Sequence, residues 1–171
     1  GISDEKISIV PHFIKSYGQQ DTHDKEDRFV FIGRLGKQKQ VDHLIKSYNQ
    51  FLKYGHQTKL AIYGADEQNQ KQVILDLVKE YQIEDKVDLN DFTKHPLEEF
   101  KKSKASLLTS EYEGFGLTVM ESIEVGCPVI AYDVRYGPGE IIEHGENGYL
   151  VEPDNIEAVS YTHLRAHETG R

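Results

Sequence analysis

The feature that most constrains the fold is an alternation. Short β-rich apolar runs, each ending at a loop, take turns with segments whose apolar residues recur at helical spacing. The run RFVFIG (28–33) leads into the polar loop RLGKQKQ, then into Val41, Leu44, Ile45, Tyr48 and Phe51, with Gly55 as the expected stop signal. A second run, TKLAIYG (58–64), precedes a segment with Ile74, Leu77, Val78 and Tyr81 on one face. KVDLN (86–90) reads as a third strand, and Pro96 opens a short helix to Phe100. ASLLTS (105–110) is a fourth strand, followed by the loop EYEGFG, the helix LTVMESIEV and a fifth strand, PVIAYD (128–133). A short helix near residues 140–143 and a last strand, GYLVE, complete the array. This rhythm predicts an α/β fold with a doubly wound parallel sheet, covered on both faces. Ligands of such sheets sit at the carboxyl ends of the strands. The glycine-bearing loops GRLGKQK and EYEGFG should therefore open on one edge.

At 171 residues the chain suffices for one such domain, and 37% hydrophobic content supports a packed core. The stretch 28–159 is expected to form it. Residues 1–27 hold one β-like piece, ISIVPHFI, and a polar run, and read as an interdomain linker with a first strand. Residues 160–171, SYTHLRAHETGR, show no core-facing period and are expected to be a non-native tail. The opening residues lack both an initiator Met and a leader pattern, so the start reads as a cut inside a longer protein. A net charge of −9 sets nucleic acid aside as a bulk partner and confines any anion site to a local cation cluster, Arg34, Lys37 and Lys39. Cys127 has no partner in the chain and lies in an apolar run, which suits a core position and a reducing, cytoplasmic setting.

Two segments carry chemistry. In EGFGLTVME (113–121), Gly114 and Gly116 flank Phe115 and let the backbone approach a ligand closely. A helix begins directly afterwards, and the free amides of Leu117 and Thr118 form a ready anion site suited to a diphosphate. Glu113 and Glu121 flank that cradle; carboxylates there are poor phosphate ligands but good acceptors for sugar hydroxyls. In GRLGKQK, Gly33 precedes Arg34, and Lys39 follows five residues later. A forked guanidinium and a point charge there would stabilise a departing diphosphate. The Tyr136-Gly137-Pro138 segment reads first as a structural turn, with contact to a bound sugar as the alternative, and Asp91 as a strand terminator. The eight histidines lack zinc-ligand spacing, so no metal site is expected.

Taken in order, ISIVPHFI, FIGRLGKQKQVDHLIKSY, EGFGLTVMESIEVGCPVIAYD and EIIEHGENGYLVEP resemble the C-terminal half of retaining, GT-B fold glycosyltransferases of family 4. Within that family, SLLTSEYEGFGLTVMES and VRYGPGEIIEHGENGYLVE are most similar to the branch that modifies teichoic acids and adhesins of Gram-positive bacteria. The resemblance implies a Rossmann-like domain that binds a nucleotide-sugar donor, UDP-glucose or UDP-N-acetylglucosamine. It implies that Glu113 holds the transferred sugar, Glu121 the ribose, and Arg34 and Lys39 the distal phosphate. The amides of Leu117 and Thr118 match the phosphate-binding helix start, and Asn90, Asp91, Phe92 and Thr93 match the strand end that cups the base. No metal or other cofactor is implied. The acceptor, a polyol-phosphate polymer or a protein hydroxyl, would be held by an N-terminal domain outside this chain, and peripheral membrane association of the longer protein is compatible with the branch.

Two positions depart from the family pattern: Gln40 and Asp91 stand where glycine is common. Three other readings of the residues stay open. The chain could be a nucleotide-sugar-binding module inactive by itself, a UDP-sugar epimerase of the same fold, or a structural interaction domain.

Overall fold

Strand β1 (Arg28–Ile32) shows how the sheet is covered. Successive side chains of a strand point to opposite faces, yet Phe29, Val30 and Phe31 are all fully buried. The computed structural model describes residues 25–160 and residue 162, and places helices on both faces of β1. On one side, Phe29 and Phe31 pack with Leu44, Ile45, Tyr48 and Phe51 of α1 (Val41–Lys53) and with Ile74 and Val78 of α2 (Gln70–Glu80). On the other, Val30 packs with Phe100 of α3 (Pro96–Lys102) and with Val125 and Cys127, just beyond α4 (Leu117–Glu124). Each such large side chain contributes about 1.5–3 kcal/mol when fully withdrawn from water. Tyr48 is buried without an orphaned hydroxyl, because its Oη donates to the Thr58 carbonyl at 2.7 Å. Cys127 is a core residue as expected; burial pushes its thiol up to about 11.

Strands β2 (Lys59–Tyr63), β3 (Val87–Asn90), β4 (Ala105–Leu108), β5 (Val129–Tyr132) and β6 (Gly148–Val151) complete a sheet in the order β3-β2-β1-β4-β5-β6. Every pairing is parallel. The chain works outward from β1 to β3, then returns to β1's other side with β4. At that reversal the helices after β1 and β4 pass to opposite faces, which in such sheets opens a crevice at the carboxyl ends of the strands. The expected doubly wound α/β fold is therefore present.

Several boundaries differ from expectation for identifiable reasons. β4 stops at Leu108 because Thr109 leaves the ladder and its hydroxyl donates to the carbonyls of Lys39 and Gln40, at 3.2 and 2.9 Å. β5 begins at Val129, since Pro128 has no amide to offer. The short helix α5 spans Pro138–Ile141 rather than residues 140–143, because Pro138 presets the first turn. α1 ends at Lys53, two residues before Gly55, which takes the left-handed φ of +91° expected of its stop signal. The β-like piece ISIVPHFI lies outside the described residues, as does the tail apart from Ser160 and Thr162. No helix among the described residues is long and apolar enough to cross a membrane.

Candidate functional site

The loop after β1 carries Gly33, Arg34 and Lys39, and it is stitched to the loops on both sides. Toward β2, Leu35 donates to the Ala65 carbonyl at 2.8 Å, and Glu67 donates back to the Leu35 carbonyl at 3.0 Å. Toward β4, Glu111 donates to the Gln38 carbonyl at 2.9 Å, and the Gln38 side-chain amide donates to the Tyr112 carbonyl. Gly64 is required where the first two loops meet, since a Cβ there would overlap the Gly33 carbonyl oxygen.

Within this frame Lys39 meets Glu113. Its Nζ lies 2.6 Å from Glu113 Oε1, and both side chains are nearly covered, at 13% and 9% exposure. A Cβ on Gly33 would be tight only against the Phe31 ring, at 3.2 Å from Cζ. Ser110 Oγ also donates to Glu113 Oε1, at 2.5 Å, so two donors fix the carboxylate by one oxygen. The pair joins residues 74 apart in sequence across the crevice.

Immediately beyond Glu113 the chain turns into α4. Gly116 adopts φ +79° and caps the helix without any side-chain bond. Its carbonyl accepts from Val119 and Met120, leaving the amides of Leu117 and Thr118 without an acceptor among the described residues. The opening of α4 thus presents two free amides, an arrangement chemically suited to an anion. Glu121 lies one turn further along, stacked beneath the exposed Leu117. Partial burial raises its carboxyl above the usual range, and no donor or cation reaches it among the described residues.

The other expected site residues occupy the same edge but are engaged differently. The Arg34 guanidinium pairs with Glu67 Oε1 at 3.0 Å, toward the β2 loop, and is 68% exposed. It does not join Lys39 at Glu113. Asn90 ends β3 in register with Tyr63 of β2, and its side-chain amide donates to the Asp88 carbonyl at 3.1 Å. Asp91 is almost fully exposed and pairs with Lys71 at 2.9 Å. Phe92 is 69% exposed, and Thr93 Oγ1 accepts from the His95 amide at 3.1 Å. Three strand steps separate the end of β3 from that of β4, about 14 Å, an extent suited to a nucleoside diphosphate laid across the edge.

Sequence reading missed Glu67, Gln38, Thr109 and Ser110. Glu67 had a usable signal: it lies in the loop after β2, which opens on the same edge as Arg34. Nothing in the spacing marked the other three. The Tyr136-Gly137-Pro138 turn is closer to the site than a merely structural turn requires. A Cβ on Gly137 would lie 3.3 Å from both Glu113 Cβ and the Gly114 carbonyl oxygen.

Comparison with known proteins identifies the family and supports the fold. The profile of the family "Glycosyl transferases group 1" matches residues 14–165. The chain is 37% identical over 128 residues to the poly(glycerol-phosphate) alpha-glucosyltransferase of Bacillus subtilis (strain 168), covering 75% of this chain and 19% of that protein. It is 32% identical over 152 residues to the poly(ribitol-phosphate) alpha-N-acetylglucosaminyltransferase of Staphylococcus aureus (strain COL), covering 89% of this chain and 30% of the relative. Among solved structures, a variant of S. aureus TarM in complex with Fondaparinux, alpha-GlcNAc-glycerol and UDP superposes with a TM-score of 0.83 at 31% identity. That superposition covers 92% of this chain and 33% of TarM. The chain thus spans a third or less of the length of these proteins. By its matched profile, its relatives and its sheet, the chain belongs to the glycosyl transferases group 1 family.

Proposed function

We propose that this domain binds the donor of a retaining glycosyltransferase, a UDP-hexose such as UDP-glucose or UDP-N-acetylglucosamine. In the longer protein the hexose passes to a hydroxyl of a polyol-phosphate polymer or of a protein. The observation that carries the reading is the Lys39–Glu113 contact at the mouth of α4, where a cation, a carboxylate and two open amides converge across the crevice.

In this reading the diphosphate lies on the amides of Leu117 and Thr118, with Lys39 and Arg34 against its distal phosphate. As the bond from the anomeric carbon to the phosphate oxygen breaks, its electron pair stays on that oxygen, and these fixed positive groups stabilise it. The acceptor oxygen bonds to the same face of the anomeric carbon, and its proton passes to the departing phosphate oxygen. Glu113 keeps one oxygen on Lys39 and Ser110, so its other oxygen is the acceptor for a hexose hydroxyl. Glu121, raised and without a donor of its own, takes the ribose hydroxyls. Asn90 to Thr93 lie beside the base. Positive charge comes from side chains and amides, so the reading assigns no role to a metal.

Because the chain spans only part of its relatives, we expect it to bind donor without transferring sugar by itself. Calorimetric titration with UDP and UDP-glucose tests the binding. Heat for both ligands, lost in Glu121→Ala, supports it; no heat in the unaltered chain removes it.

A further inference from the structure

Three arginines lie among the described residues, and two are held by carboxylates: Arg28 by Glu99 at 2.6 Å and Arg34 by Glu67 at 3.0 Å. Arg135, in the loop after β5, pairs with no carboxylate among the described residues. Its guanidinium instead lies over the ring of Tyr136, 5.9 Å from the centroid, with Tyr136 itself 62% exposed. Tyr136 holds φ at +69°, a left-handed conformation that a bulky side chain adopts only at a cost. The next residue, Gly137, borders the site closely enough that a Cβ on it would come within 3.3 Å of Glu113 Cβ and of the Gly114 carbonyl oxygen. The strained backbone thus mounts a free guanidinium, backed by an aromatic ring, two residues before the glycine that borders Glu113.

We propose that Arg135 and Tyr136 form a second anion subsite, separate from the diphosphate cradle, which takes a phosphodiester group of the polyol-phosphate acceptor. This rests on the donor reading above, because Glu113 marks where the acceptor hydroxyl must arrive. The chemistry fits the three observations. A guanidinium offers a planar fork to two phosphate oxygens. The tyrosine ring limits the rotamers of that fork and gives the carbon backbone of a polyol an apolar face. The donor diphosphate already has Lys39, Arg34 and the α4 amides, on the loops after β1 and β4, whereas Arg135 stands on the loop after β5. Free phosphate shares the oxyanion chemistry, so the test must separate the two.

The experiment is a heteronuclear NMR titration of this chain with a synthetic glycerol-phosphate hexamer, with and without saturating UDP. The expected result is a set of shifts centred on residues 133–137 that persists under UDP. Arg135→Ala should weaken hexamer binding about tenfold, the scale of one charge-assisted contact, and Arg135→Lys should recover part of it. Tyr136→Asn removes the ring while keeping a residue comfortable at positive φ, so it should weaken binding with the fold intact. Three results would overturn the proposal: shifts on residues 34–39 and 117–118 that vanish under UDP, unchanged binding in Arg135→Ala, or equal affinity for inorganic phosphate. Failure of the donor reading is visible separately in the same samples, as absence of any response to UDP alone.

Discussion

Glu67 is the carboxylate with which a donor diphosphate must compete for Arg34, and this makes Glu67→Gln an informative perturbation. The substitution keeps the shape of the side chain, including its close approach to Gly36, and removes only the charge. The Arg34–Glu67 pair is open, with side chains 68% and 42% exposed, so its 3.0 Å separation cannot be converted into energy with an interior dielectric. Exposed pairs of this kind are worth about 0.2–1 kcal/mol. Releasing Arg34 should therefore tighten UDP binding by about 1.4- to 5-fold. Uridine has no phosphate and should bind equally to both forms. At about 1 M salt, where screening acts within about 3 Å, the gain should shrink toward nothing. Titration calorimetry of UDP and uridine at low and high salt reads all three outcomes. Weaker UDP binding by Glu67→Gln would refute the reasoning, since Glu67 would then be holding Arg34 in its working position. An equal change for uridine would refute it too.

Lys39→Ala should destabilise the fold by roughly 3 kcal/mol, because it strands the nearly covered carboxylate of Glu113, and Lys39→Met combined with Glu113→Gln should restore much of that loss. Urea unfolding reads both, and an undiminished midpoint in the single variant contradicts the pairing. Glu121→Gln should raise thermal stability at neutral pH while cutting UDP affinity. Its folded carboxyl titrates above the unfolded value, so the ionised form carries a penalty at pH 7 that fades as pH falls through the folded pKa toward about 4. Melting curves of the two proteins should therefore converge in acid, and a constant gap from pH 4 to 7 would count against an uncompensated charge. Gly137→Ala should cost about 1–3 kcal/mol and weaken UDP-glucose more than UDP, since φ +77° and the approach to Glu113 both exclude a side chain. Equal losses for the two ligands would detach that turn from the sugar side of the site.

The fold was legible because burial on both faces of a parallel sheet demands unbroken apolar runs, and Phe29-Val30-Phe31 is such a run. The helices were legible for a related reason: Leu44, Ile45, Tyr48 and Phe51 can share one buried face only at helical spacing. Boundaries were less so wherever a side chain replaced the backbone as a bonding partner. Thr109 ends β4 by reaching the loop after β1, which no local pattern announces. At the site, glycines and a helix start marked the two loops, and those loops do meet. Charge partners were another matter. Arg34 finds Glu67, Asp91 finds Lys71 and Arg135 finds the face of Tyr136, and the first two choices depend on which loops the strand order makes neighbours. Periodicity carries no record of such cross-loop distances.

Gly33 and Gly64 touch backbone to backbone, so the first two loops cannot slide past each other. A ligand that draws Arg34 toward the crevice therefore pulls on residues 64–68, and through them on the start of α2, where the Lys71 amide bonds Asp66. Occupancy of the phosphate cradle should accordingly register as slower amide exchange in a stretch that the ligand never contacts.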